Sequence, residues 1–105
     1  MDIRCIVTGQ TASGKSVFVR DTPVKPVTLA LFPGYEFHCL WGSDSTTQLP
    51  SNGAPPPPLL YFPSTHGFRF LFFTVPPDST ARIDQLNTPA AIEEIQLKLP
   101  GLLDP

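Results

Sequence analysis

Residues Gly9 to Ser16 read GQTASGKS, which fits the spacing G-x-x-x-x-G-K followed by Ser or Thr. In that motif, backbone amides wrap a phosphate chain, Lys15 would reach the outer phosphates, and Ser16 would hold magnesium. The chemistry needs a helix that begins at the Lys-Ser pair, because its free amides and dipole hold the anion. Here the next residues are VFVRDTP. Val17, Phe18 and Val19 favour a strand, and Pro23 blocks a helix within two turns. Ser16 to Arg20 is therefore expected to run extended, with Gly9 to Ser16 a glycine-rich hairpin loop that exposes Lys15. A second requirement is also unmet, since Asp44 follows FHCLWGS, an alternating segment and not a buried parallel strand that would present a magnesium ligand. Nucleotide binding is retained as the third of three functional readings.

The remaining candidates for chemistry are sparse. His38 and His66 are the only histidines, and neither H-x-H nor H-E-x-x-H occurs. A two-histidine metal site would need a carboxylate such as Glu36 or Asp44. The plainer reading is a partly buried strand histidine and a turn histidine, so no metal ligand and no cofactor is assigned. Ser13, Ser16 and Ser64 lie in loops without a base and an orienting partner, so no catalytic residue is assigned. Trp41 can stack on an aromatic ligand or fill a core. Arg69, set among aromatic residues, can bind a carboxylate or phenolate at a barrel mouth, or mark the solvent side of its strand. His38, Trp41 and Arg69 are the substrate-binding candidates, with a small aromatic molecule as the ligand. Cys5 and Cys39 both sit in apolar runs and are expected to be buried, reduced thiols of a cytosolic protein.

The elements that must position these residues are mostly strands. Fourteen prolines among 105 residues exclude a mostly helical chain. Ile3 to Thr8 and Ser16 to Arg20 are rich in β-formers and read as a hairpin. Val27 to Phe32 is expected to form a further strand, stopped by Pro33-Gly34. From Tyr35 the pattern alternates, with Tyr35, Phe37, Cys39 and Trp41 on one face and Glu36, His38 and Leu40 on the other. Residues 42 to 58 form a long polar, proline-rich loop, and Pro55 to Pro58 should be polyproline II. Leu59 to Pro63 is apolar and is expected to pack over the sheet. Phe68 to Val75, FRFLFFTV, is apolar on both faces and expects cover on both. Thr88 can cap a helix that has Pro89 in its first turn, an apolar stripe of Ile92, Ile95 and Leu99, and a stop at Pro100-Gly101. The division is a β-rich part over 1–86 and a helix with its tail over 87–105, within one segment.

Charge and hydropathy narrow the function classes. The formal net charge is −2 and there is no basic run, so nucleic acid is not an expected partner. No apolar stretch approaches the roughly 20 residues a membrane span needs, and the first residues lack the apolar core of a secretory signal. A cytoplasmic location is expected.

The order of phrases resembles small cupin-domain proteins. GKSVFVRDTPV resembles their opening hairpin and its Asp-x-Pro stretch, and FHCLWGSD and FRFLFFTVPPDS resemble the strands that follow. QLKLPGLLDP resembles the segment that precedes the family's metal region. The resemblance spans almost the whole chain and is shared with bacterial small cupins and with fungal cupin-domain oxidoreductases of secondary-metabolite clusters. It implies a mainly β, partial cupin-like jelly roll with an N-terminal hairpin, a long proline-rich loop and one C-terminal helix. The family's histidine-rich metal motifs have no counterpart here, so the resemblance assigns no metal ligand to any residue. It implies a shortened relative of small-molecule tailoring oxidoreductases, inactive alone and completed by a second copy or another cupin chain. The alternative is a non-catalytic interaction module that pairs through strand edges or through Pro55 to Pro58.

Overall fold

The computed structural model describes residues 2–54, 57, 59–77 and 87–103. The fold is mainly β. Four strands form two separate two-stranded antiparallel sheets, and a single short helix follows among the described residues. Strand β1 (Ile3–Gln10) pairs with β2 (Ser16–Val24), and β3 (Glu36–Ser43) pairs with β4 (Phe68–Thr74). Helix α1 spans Pro89–Lys98.

The first hairpin forms because β-branched and aromatic residues flank a turn with glycine in a left-handed position, Gly14 at φ 83°. Its register shifts between Val7 and Thr8, so that Val7 faces Arg20 while Thr8 faces Phe18. On the exposed side, Arg4 and Asp21 form a bidentate pair at 2.5 and 2.6 Å. The guanidinium holds the Asp21 carboxyl below its usual range.

The expected strand over Val27 to Phe32 is not formed. Only Val27 pairs, bridging Phe37 through two backbone hydrogen bonds of 2.8 and 2.9 Å. Beyond it the chain turns, with the Phe32 amide donating to the Leu29 carbonyl and the Tyr35 amide to Phe32. Turn chemistry overrides β propensity here: Pro33 ends the run and Gly34 sits at φ 86°. The turn drives Leu29 and Leu31 inward, where with Ile95 and Leu99 they make the buried core. Val27, Phe32, Phe37, Tyr61, Ala91 and Leu102 pack around them.

Helix α1 agrees with its sequence signals. The Thr88 side chain accepts a hydrogen bond from the Ala91 amide, and Pro89 opens the first turn. Glu94 and Lys98 pair one turn apart at 3.2 Å. Both also reach the turn before Phe32, Glu94 accepting from the Ala30 amide and Lys98 donating to the Thr28 carbonyl. These bonds fix the helix over the Leu29–Leu31 turn, and the first of them is the main cause that lowers the Glu94 carboxyl from its usual range.

The strand pattern of β3 breaks at Leu40, where the register shifts between Cys39 and Trp41. Strict alternation therefore fails there. Cys39 is exposed and not buried as expected, Cys5 is half-buried, and both are free thiols. Cover over β4 is also partial: Phe68, Phe70, Phe72, Phe73 and Val75 all remain exposed. Pro55, Pro56 and Pro58 lie outside the described residues, and with them the expected polyproline segment. No helix among the described residues is long and apolar enough to cross a membrane.

Candidate functional site

The Gly9–Ser16 loop is closed on itself. The Thr11 amide donates to the Lys15 carbonyl and the Gly14 amide to the Thr11 carbonyl, both at 2.9 Å. The Lys15 amide donates to the Thr11 hydroxyl at 3.1 Å. Strand β2 begins at Ser16, so no helix N-terminus faces the loop, and the amides of Thr11, Gly14 and Lys15 already have partners within it. Gly9 serves packing. A Cβ there would overlap the backbone of Asn52 and Gly53, and the neighbouring Gln10 amide donates to the Ser51 carbonyl at 2.8 Å. The long loop thus lies directly on the first hairpin.

A cavity of about 200 Å³ opens between the β3–β4 hairpin, the Leu59–Tyr61 segment and the C-terminal end of α1. Trp41, Tyr61 and Phe70 supply aromatic walls, with Leu59, Leu71 and Leu99 between them. Its geometry follows from three local constraints. The Tyr61 amide donates to the Pro100 carbonyl at 2.7 Å, which ties the segment to the helix end. Gly101 takes φ 89°, and a Cβ at that position would stand 3.1 Å from Leu60 Cβ. Gly42 lets Arg69 and Leu59 approach, since a Cβ there would lie 2.9 Å from Arg69 Cδ and 3.0 Å from Leu59 Cδ1.

The structure brings Trp41 and Arg69 together at this cavity. Arg69 is not on the solvent side; its side chain is 11% exposed. Its guanidinium donates to the carbonyls of Leu60, Ser43, Phe68 and Phe62 at 2.8, 3.1, 2.9 and 3.4 Å, and to Asp44 Oδ1 at 2.7 Å. The Arg69 hydrogen bond, followed by the Ser64 amide, holds the Asp44 carboxyl below its usual range. Arg69 is thus a clamp that organises one wall, and its fork of donors is already committed.

His38 is placed elsewhere. It is 0% exposed, it does not line the cavity, and neither ring nitrogen has a hydrogen-bond partner. It pairs across the ladder with Phe72, beside the Glu36–Thr74 pair, and the Thr74 hydroxyl is likewise buried and unbonded. Among the described residues no three His, Cys, Asp or Glu side chains gather as a metal site.

The sequence reading missed Arg20 and Tyr61. Arg20 spans the two hairpins, its guanidinium 5.9 Å from the Trp41 ring centroid and its Nη2 3.7 Å from Cys5 Sγ. Tyr61 was readable only as one apolar residue of LLYFP. Cys39 lines the cavity, and partial burial raises its thiol above the usual range, which disfavours the reactive thiolate.

Comparison with protein-family models, curated proteins and solved structures finds no match for this chain.

Proposed function

We propose that this chain is a cupin-like β module that holds one small, neutral aromatic molecule in the cavity beneath Trp41. Its role in small-molecule tailoring is binding, and another chain supplies the reaction centre. The observation that carries the reading is the meeting of Trp41 and Arg69, distant in sequence, at one aromatic-walled cavity. Antiparallel hairpins joined by long loops are the elements from which a jelly roll is made, and the phrase-level resemblance to small cupins agrees with them.

Size and chemistry select the ligand class. A cavity of about 150 Å³ lined by apolar groups accommodates benzene, so about 200 Å³ suits one or two fused rings. Arg69 has its donors committed and Lys98 is tied to Thr28 and Glu94, so the walls favour a neutral ligand over an anion. The test uses the single tryptophan of the chain. Titration with 2-naphthol should change Trp41 fluorescence saturably, and naphthalene sulfonate should bind less well. Leu60→Arg, at an exposed rim position, should weaken binding by about tenfold, because a charge then sits over an apolar mouth. An unsaturable response, or one indifferent to Leu60→Arg, would remove the reading.

A further inference from the structure

We propose that β4 pairs with β4 of a second copy, antiparallel about Leu71, to give a four-stranded sheet ordered β3-β4-β4-β3. Three observations lead there. First, the two edges of this sheet differ among the described residues. The outer side of β3 is bridged near its start, where Val27 exchanges two backbone hydrogen bonds with Phe37. No described strand pairs with the outer side of β4. A two-stranded sheet is marginal by itself, and an open edge offers its alternate N–H and C=O groups as a template.

Second, the strand is self-complementary. Antiparallel pairing about Leu71 sets Phe70 against the partner's Phe72 and Phe68 against the partner's Thr74. Directly opposed residues share a face, so the aromatic side chains meet each other without a register slip. Its single charged residue is Arg69, which is already bonded to Asp44, so no like charges oppose across the axis. Protected edges usually carry an outward lysine, a proline or a bulge, and Phe68–Thr74 has none of these on its own strand.

Third, the exposed surface matches what such a contact can use. Phe68, Phe70 and Phe72 are 41, 51 and 46% exposed. With side-chain areas on the order of 200 Å² each, they offer roughly 300 Å² per copy. The total for two copies lies below the roughly 1,200 Å² of stable complexes, so the dimer is weak and reversible. Two-fold pairing uses the same β4 edge in both copies, so this contact closes at two copies.

Sedimentation equilibrium of the full chain should show a reversible monomer–dimer equilibrium, with a dissociation constant above about 1 μM. Phe72→Lys should weaken it at least tenfold, while Leu97→Lys, on the exposed side of α1, should leave it unchanged. Register is read by cross-linking in a Cys5→Ser, Cys39→Ser background. Phe70→Cys mixed with Phe72→Cys should form a disulfide under air oxidation, and each alone should form far less. This arm remains decisive if Phe72→Lys does not fold. Strict monomer at every concentration, a dimer indifferent to Phe72→Lys, or equal cross-linking in the single and mixed samples would overturn the proposal. Protected β4 amides in a strict monomer would assign the edge to another segment of the same chain.

Discussion

Two side chains in the second sheet show opposite solutions to burying a polar group. Arg69 is nearly enclosed, yet its guanidinium is surrounded by carbonyl oxygens and the Asp44 carboxylate. His38 is fully enclosed and both nitrogens lack partners. Burial without a hydrogen bond costs free energy that an apolar side chain of similar volume does not incur. His38→Leu should therefore raise stability by about 1 kcal/mol, measured by urea denaturation. A loss of stability instead would show that the imidazole has a polar partner in solution. Asp44 completes the contrast: its carboxyl, held low by Arg69, contributes stability above the usual carboxylate range. That contribution disappears as the pH falls through the depressed value.

At the scale of elements, the first hairpin decides how the Gly9–Ser16 loop is understood. The loop spacing permits a phosphate cradle, and the residues that follow it forbid the necessary helix. This was legible because Val17, Phe18, Val19 and Pro23 are local signals, and β2 does begin at Ser16. The job of Gly9 was not legible, because the backbone it touches lies far along the chain at Asn52. Gly9→Ala should destabilise by about 2 kcal/mol or more, since the added methyl meets backbone that cannot swing aside. Lys15→Ala, on an exposed turn, should change stability by less than about 0.5 kcal/mol. Thermal melts of the two variants check both values, and an inverted order would return importance to the lysine. The Val27 to Phe32 segment carries the converse lesson. Its β-formers pointed to a strand, but Pro33-Gly34 and the bonds from Glu94 and Lys98 hold it as a turn.

The whole molecule is open for its length. Its radius of gyration is 16.6 Å, where a compact chain of this size has about 13 Å. Its accessible surface is 7623 Å², against roughly 5,800 Å² for a compact monomer of this mass. Among the described residues four apolar side chains are buried: Leu29, Leu31, Ile95 and Leu99. Less surface is thus exposed on unfolding than in a compact domain of equal length. The urea m-value of the dilute monomer should lie near or below the low end of the usual range, about 1 kcal/mol/M. It should rise with protein concentration if β4 pairs between copies. A concentration-independent m-value typical of compact 105-residue domains would show a tighter fold than the one described.

The amino-acid order alone determined the mainly β character, the first hairpin, the extended path after Lys15 and the capped helix. Each depends on neighbours within a few residues, where propensity, proline and glycine act directly. Only the tertiary structure decided that Leu29 and Leu31 turn into the core, that Arg69 folds back onto four backbone carbonyls and Asp44, and that His38 is sealed away from the cavity. Those outcomes depend on segments far apart in the chain meeting in space, and on a bulge at Leu40 that shifts the faces of β3. A one-residue change of register moves a side chain from one face to the other, and periodicity read along a single strand does not contain that information.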